Sequence, residues 1–156
     1  MNSRKDKKEG MVVAAICNGT VLDHISPSKL FKVAALLHLE EISSPITIGN
    51  NLESSYIGSK GIIKIADRFF SDDEINRIAL IAPNVHLNII KNYEVVEKRK
   101  VELPQEIVGI VRCSNPKCIT NHEPMQTIFT TEGAEAELIR CHYCGRKIMR
   151  ENIELK

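Results

Sequence analysis

Four cysteines near the C-terminus form two close pairs that could bind a metal ion. Cys113 pairs with Cys118 and Cys141 with Cys144, so the spacing is C-x4-C, a gap of 22 residues, then C-x2-C. Four thiolates at tetrahedral corners suit Zn²⁺, with bonds of about 2.3 Å. Because four protein ligands leave no position for water or substrate, the set predicts one structural Zn²⁺ per chain and argues against zinc catalysis.

Three other states are open to these cysteines: disulfides, an iron–sulfur cluster or free thiols. Two disulfides would need an oxidising compartment, whereas the opening MNSRKDKKEG has neither the apolar region nor the cleavage site of a secretory signal. An iron–sulfur cluster also accepts four cysteines, but two short pairs across a long loop favour a ribbon-like zinc site. Four unrelated free thiols would rarely have this spacing. The fifth cysteine, Cys17, is interpreted as an ordinary buried or half-buried thiol.

Catalytic motifs are missing from the rest of the sequence. It contains no GxxxxGK[ST], GxSxG or HExxH pattern, so no reaction is indicated. Lys64 interrupts the apolar run 62–65, and the alternation of a strand would place it on the face opposite Ile63 and Ile65. From the residues alone, both a solvated face and a polyanion site remain open for Lys64. The pair Asp23 and His24 is equally ambiguous.

The composition and net charge limit the classes of protein to which the chain can belong. The 156 residues carry a net charge of +1, with 43% hydrophobic but only 4% aromatic residues. The core is therefore expected to be aliphatic, and a non-specific nucleic-acid binder is disfavoured. No apolar run approaches the roughly 20 residues of a membrane span, and we expect a cytoplasmic protein.

Hydrophobic periodicity predicts an α+β fold. Ser26-Pro27 predicts the start of a first helix that runs to about Leu39, and Ser71 to Glu74 form a capping box for a second helix that Pro83 ends. Strands are predicted at 11–16, 20–25, 46–48, 62–65, 85–90 and 93–96, with a long turn over 50–60. This order predicts a ferredoxin-like antiparallel sheet with two helices on one face, followed by a small β-rich four-cysteine zinc domain.

The domain organisation follows from composition shifts. Residues 1–10 are predicted to form a flexible arm and residues 11–102 a first domain. The charged run 97–102 at its end is predicted to be a link between the domains, and residues 103–156 are predicted to form the zinc domain, with a hairpin in 124–140. About fifty residues make a small core, so the metal is expected to supply much of the second domain's stability.

From about Met11 onward, the chain resembles the regulatory chain of aspartate carbamoyltransferase. The matching stretches occur in the same order across both predicted domains: Gly19–Ile25, Ile46–Leu52, Gly58–Ile65, Leu80–Pro83, Asn92–Val96, Cys113–Ile119, His122–Pro124 and Cys141–Cys144. The resemblance implies a non-catalytic allosteric subunit in pyrimidine biosynthesis. It implies homodimers that associate with a catalytic chain through the zinc domain, with CTP, ATP and UTP as effectors.

The resemblance also implies a nucleotide site in the first domain. By position it would comprise Val13, Ala14, Ala15, Ile16, Val21, Asp23, His24, Lys64, Asn88, Ile90, Tyr93, Val95 and Lys98. Lys98 and His24 would meet the triphosphate, Asp23 would accept from ribose hydroxyls, and Lys64 would sense base and sugar. Backbone groups near Ile16 and Ile90 would read the base.

Some positions depart from the family pattern. Family members often have an acidic residue at the place of Ala14 and basic residues near Cys17 and Asn18, so effector preference could differ. The hairpin 131–137 is acidic where the enterobacterial form of the family is basic. Asn115 and Arg146 match positions that face the catalytic chain, and we expect them at the partner interface. A zinc-ribbon nucleic-acid-binding protein is the alternative function, and the acidic hairpin argues against it.

Overall fold

The computed structural model describes residues 15–55 and 57–156, which form two compact units. The first unit comprises the described residues through Phe70 together with Asn84–Lys100, and the second comprises Ser71–Pro83 and Val101–Lys156. The chain therefore passes from one unit to the other at three places. The predicted arm, 1–10, and residues 11–14 of the first predicted strand lie outside the described residues.

The described residues contain two α-helices, eleven strands and three short 3₁₀ helices. The helices are α1 (Leu30–Leu36) and α2 (Asp72–Ile81), and the 3₁₀ helices are Leu39–Glu41, Ile119–Asn121 and Arg150–Asn152. The strands are β1 (Gly19–Ile25), β2 (Ile46–Ser54), β3 (Gly58–Ala66), β4 (His86–Lys91), β5 (Glu94–Lys100), β6 (Glu106–Val108), β7 (Val111–Arg112), β8 (Ile128–Glu132), β9 (Leu138–Cys141), β10 (Lys147–Met149) and β11 (Glu154–Leu155). Neither α-helix is long and apolar enough to cross a membrane.

The first unit is built on a five-stranded antiparallel sheet. Its strand order is β2-β3-β1-β4-β5, and every neighbouring pair is antiparallel. The order of β2, β3, β1 and β4 is that of a split βαβ arrangement, and β5 is added at the edge. The predicted α+β class with an antiparallel sheet is thus confirmed.

One face of this sheet forms the aliphatic core of the first unit. Leu22 pairs with Ile63 on one side and with Leu87 on the other, and these side chains are almost completely buried. Helix α1 covers β3 at Gly61, where an added Cβ would lie 2.8 Å from Leu30 Cδ1. Because side chains alternate along a strand, the residues between these positions point to the opposite face.

Helix α1 is shorter than the sequence predicts. The backbone N–H of Lys29 donates to Ser26 O at 2.8 Å, so Ser26–Lys29 form a turn and the helix begins only at Leu30, without a side-chain cap. The helix ends at Leu36, and His38 adopts the left-handed conformation that commonly terminates helices (φ 50°).

Two predicted loops are instead parts of strands. The predicted turn over 50–60 was wrong, since β2 continues to Ser54 and β3 begins at Gly58. A bulge between Gly49 and Leu52, with Asn51 at φ 58°, lets the Asn-rich stretch stay paired. The prediction of an interdomain link over the charged run 97–102 was also wrong for most of its length, because β5 continues to Lys100.

The second unit combines two small antiparallel sheets. One has the order β10-β9-β8-β6, and the other pairs β11 with β7. Phe129, Ile139 and Ile107 are almost completely buried in its core. The same buried cluster contains Cys113, Cys118 and Cys141, so three of the four candidate metal ligands belong to the hydrophobic core.

Helix α2 packs into the second unit. The predicted capping box is confirmed: Ser71 Oγ accepts from the Glu74 backbone N–H at 3.3 Å, and Glu74 Oε1 accepts from the Ser71 backbone N–H at 3.3 Å. Leu80 joins the buried cluster of this unit, and Arg77 Nη1 donates to Lys156 O at 3.1 Å. The sequence analysis assigned this helix to the first predicted domain, 11–102, whereas its residues belong to the second compact unit. The predicted domain boundaries remain a prediction.

Loss of the capping box should destabilise the second unit. Ser71→Ala removes the acceptor for the Glu74 N–H, and we expect a loss of about 1 kcal/mol in the free energy of unfolding. Urea unfolding measures the change. Ser71→Asn, which retains a capping oxygen, is the matched control, and an equal loss in both variants would contradict the capping role.

Candidate functional site

The four cysteines of the second unit form a compact cluster. Their Sγ atoms all lie within 4.8 Å of one another, with Cys113 and Cys144 3.6 Å apart and Cys118 and Cys141 3.8 Å apart. A tetrahedron with zinc–sulfur bonds of about 2.3 Å places its sulfurs about 3.8 Å apart. All four are free thiols, so the disulfide alternative fails, and the cluster fits one structural zinc ion.

The first cysteine pair is held by side chains of its own loop. Asn121 Nδ2 donates to Cys113 O at 2.9 Å and to Asn115 O at 2.8 Å, which closes the turn between the two cysteines. Cys118 N donates to Asn115 O at 3.0 Å, and Thr120 Oγ1 lies 3.2 Å from Cys118 Sγ. These bonds hold the loop that carries both sulfurs.

The second pair lies in a tight turn after β9. Gly145 N donates to Cys141 O at 2.9 Å and Cys141 N to Arg146 O at 2.9 Å, while Gly145 adopts φ 74°, which suits glycine. Arg146 Nη1 lies 3.4 Å from Ser114 O and thereby joins this turn to the first pair. The two turns thus approach each other around the sulfur cluster.

The environment shifts the pKa values of Cys113 and Cys144 in opposite directions. Burial raises the pKa of Cys113 to about 12, against a hydrogen bond from the Asn115 backbone. Burial also acts to raise the pKa of Cys144, but hydrogen bonds from the Arg146 backbone and the Asn115 side chain outweigh it and bring that pKa to about 7. Buried thiolates need a compensating cation, which Zn²⁺ would supply in place of the protons.

The first unit carries a second candidate site, on the sheet face opposite the aliphatic core. Lys64, Val21, Asn88 and Lys98 are direct cross-strand neighbours in one row across β3, β1, β4 and β5. By strand alternation, Asp23 and Ile90 share that face. Val95 joins it as the cross-strand partner of Ile90, after a register shift in the pairing of β4 with β5. We call this surface the polar face. Seven residues that the resemblance implied for nucleotide binding therefore lie together.

The remaining predicted nucleotide residues are less uniformly placed. Ile16 packs against a cluster of Val21, Ile62 and Ile90 on the polar face, whereas Ala15 is exposed. Tyr93 lies in the turn between β4 and β5 and is 68% exposed. Val13 and Ala14 lie outside the described residues.

Asp23 is held by an ion pair that the sequence interpretation missed. Lys60 Nζ lies 2.9 Å from Asp23 Oδ1 and 3.2 Å from Oδ2, with both side chains about one-fifth exposed. Burial acts to raise the pKa of Asp23, but Lys60 and the His24 backbone N–H lower it below its usual value. Lys60 lies four positions before Lys64 on the same strand, so strand alternation could have indicated that the two lysines share a face.

Charges in the second unit argue against nucleic-acid binding there. Glu132 lies 2.8 Å from Arg140 Nε and 3.5 Å from Lys147 Nζ, so this carboxylate offsets two cations of the hairpin region. Glu137 Oε2 accepts from the Glu135 backbone N–H at 3.1 Å, which orders the acidic tip of the hairpin. A continuous basic surface is therefore not formed around this hairpin, and the nucleic-acid alternative is not favoured.

A closed tetrathiolate module and an antiparallel α+β unit define a metal-stabilised protein of two parts. Residues 11–102 match the family described as aspartate carbamoyltransferase regulatory chain, allosteric domain, and residues 105–154 match the metal binding domain of the same chain. The chain therefore belongs to the aspartate carbamoyltransferase regulatory chain family. It is a regulatory, non-catalytic type of chain with an allosteric and a metal-binding domain.

Individual relatives agree with this assignment over nearly their whole length. The chain is 65% identical to the aspartate carbamoyltransferase regulatory chain of Porphyromonas gingivalis over 149 residues, which cover 96% of this chain and 99% of the relative. It is 60% identical to that of Parabacteroides distasonis, covering 97% and 98%. The archaeal chain of Pyrococcus abyssi is 47% identical, covering 90% and 94%.

Loss of one sulfur should remove the metal and unfold the second unit. We expect about one zinc per chain in the wild type and far less in Cys113→Ser, because three ligands bind much more weakly than four. Metal content by atomic absorption and amide hydrogen exchange over 101–156 measure both effects. Structural zinc contributes about 10–16 kcal/mol in small domains, which is comparable to or larger than the stability of a whole domain.

Cys17→Ser is the matched control for this substitution. Cys17 belongs to the first unit, so its loss should leave both the zinc content and the exchange pattern of 101–156 unchanged. Full zinc content in Cys113→Ser would contradict the assignment of Cys113 as a ligand.

Proposed function

We propose that this chain is the allosteric subunit that binds CTP or ATP on the polar face and modulates catalytic chains of aspartate carbamoyltransferase. The observation that carries the proposal is the cross-strand row Lys64, Val21, Asn88 and Lys98. Such a row offers cations, an amide and an apolar surface within the span of one nucleotide. UTP would be a further effector at the same surface.

The charges of the polar face suit a triphosphate. Lys98 is exposed at the end of the row, where its ammonium can reach a phosphate without losing its hydration beforehand. Burial lowers the pKa of Lys64, against the opposing effect of Asp23. A bound anion would favour the charged form of Lys64 and would in turn be stabilised by it.

The apolar and acidic groups suit the base and sugar. Val21, Ile62 and Ile90 form a buried cluster next to the row, and Ile16 packs against it. A base can lie on this cluster while backbone groups near Ile16 and Ile90 hydrogen-bond its edge. Asp23 retains acceptor lone pairs beyond its contacts with Lys60, so it can accept from ribose hydroxyls.

We further propose that the metal-binding domain contacts the catalytic chain, through a surface that includes Asn115 and Arg146. Both residues also support the metal centre, since Asn115 hydrogen-bonds toward Cys144 and Arg146 lies near Ser114 O. A surface built on the zinc ligands would explain why a closed metal site serves assembly. The chain would act as a homodimer, and its free thiols suit the reducing cytoplasm.

Removal of one cation should weaken nucleotide binding. We expect Lys98→Ala to lower the affinity for CTP by about tenfold to a hundredfold, the range for loss of a charge-assisted hydrogen bond. Calorimetric titration of the purified chain with CTP measures the dissociation constant.

Lys32→Ala is the matched control, because Lys32 is an exposed lysine of α1 outside the polar face. Its CTP affinity should stay that of the wild type. Equal affinity in wild type and Lys98→Ala would remove Lys98 from the site, and absence of CTP binding in the wild type would contradict the proposed function.

A further inference from the structure

The turn between β4 and β5 holds two residues in a left-handed backbone conformation. Asn92 has φ 53° and Tyr93 has φ 65°, and these two residues form the whole loop between Lys91 and Glu94, which pair across the hairpin. Two positive φ values suit the twist of a two-residue hairpin turn, but a bulky aromatic residue is disfavoured in this region. Such a conformation persists where contacts from outside the turn hold it.

Those contacts come from the segment that precedes β1. Asn18 Oδ1 accepts from the Asn92 backbone N–H at 3.2 Å, and Cys17 O accepts from the Tyr93 backbone N–H at 2.9 Å. Neither loop residue is a member of the cross-strand pairs of β4 and β5. The turn is therefore held at two consecutive amides, one of them by a side chain.

The side chain of Asn18 is itself held in one orientation. Its amide nitrogen donates to Cys17 Sγ at 3.5 Å, which leaves the amide oxygen directed to Asn92. Its backbone carbonyl accepts from the Asp67 N–H at 2.9 Å, just beyond the end of β3. Asn18 is half-buried and joins the end of β3 to the turn between β4 and β5.

Strand register places this turn at the apolar end of the polar face. Gly19, the residue after Asn18, pairs with Ile90, and Ile90 pairs with Val95 on β5. Ile90 also belongs to the apolar cluster on which the base would lie. The cation Lys98 is the partner of a β4 residue two positions before Ile90, or about 7 Å along the strand. The turn therefore borders the base, and the triphosphate would lie farther from it.

We propose that Asn18 is a positioning residue that sets the base specificity of the nucleotide site. The inference rests on the proposed nucleotide site and adds a residue and a selectivity to it. By holding the Asn92 N–H, the amide of Asn18 fixes where the backbone from Ile90 to Tyr93 lies beside the base. Cytosine and adenine present different hydrogen-bonding edges to this backbone, whereas the triphosphates of CTP and ATP are identical. A shift of the turn therefore changes the two affinities by different factors.

Calorimetric titration of the full chain with CTP and with ATP tests this inference through Asn18→Ala. The substitution removes the acceptor of the Asn92 N–H, so the turn loses one of its two outside contacts. We expect the ratio of CTP affinity to ATP affinity to differ from the wild-type ratio by about threefold to tenfold, the range for loss of one hydrogen bond. A purely structural role would lower both affinities by the same factor, and that unchanged ratio would overturn the inference.

Asn18→Asp is the conservative variant, because a carboxylate oxygen can still accept from the Asn92 N–H. Its added charge acts on the same triphosphate in both nucleotides, so we expect a ratio within about twofold of the wild type even where both affinities fall. Asn152→Ala is the matched control, since Asn152 is an exposed asparagine of the second unit, and it should keep both affinities. The same altered ratio in Asn18→Asp and Asn18→Ala would also overturn the inference.

Amide hydrogen exchange of the wild type gives a test that needs no variant. We expect the N–H groups of Asn92 and Tyr93 to exchange at least about tenfold more slowly than in an unstructured peptide, although both residues are exposed. Exchange at the unprotected rate would overturn the positioning role of Asn18. Absence of CTP and ATP binding in the wild type, with both amides protected, would instead overturn the nucleotide site itself and the specificity inferred from it.

Discussion

The close approach of four sulfur atoms is the constraint on which the second unit depends. Its two cysteine turns are far apart in sequence, and the core beneath them is small. Three of the ligands are buried, and burial raises the pKa of Cys113 and Cys141, so the thiolates of these two residues need a cation nearby. A metal ion therefore does two things at once: it neutralises buried charge and it fixes the hairpin against the first cysteine turn.

A different constraint organises the first unit, namely the register of its antiparallel sheet. Alternation assigns Leu22, Ile63 and Leu87 to the aliphatic core and leaves Lys64, Asn88 and their neighbours on the opposite face. One bulge then breaks the alternation at His24 and adds an imidazole to that face. Helix α2 is inserted between β3 and β4 in sequence but packs in the second unit, so the two units share three covalent crossings.

The sequence was informative wherever a short-range pattern decides the structure. The spacing of Cys113, Cys118, Cys141 and Cys144 predicted the metal cluster, and the Ser71–Glu74 pattern predicted a helix start, because both depend on neighbouring residues. The predicted start of α1 at Ser26-Pro27 was wrong. The backbone carbonyl of Ser26 accepts a hydrogen bond within a turn, and the helix begins later, at Leu30. Lys60 and His86 were missed as neighbours of Asp23 because their proximity arises from pairing between distant strands. The nucleotide residues came from family resemblance, and only the register brings seven of them onto one face.

We propose that a nucleotide bound on the polar face modulates a separate catalytic chain through the zinc-folded unit. The most direct test is to co-purify the chain with an aspartate carbamoyltransferase catalytic chain and to measure aspartate saturation with and without saturating CTP. We predict that the two chains co-purify and that CTP shifts the half-saturating aspartate concentration by about fivefold or more, as allosteric couplings usually do. Failure to co-purify, or an identical saturation curve while CTP is bound, would contradict the claim.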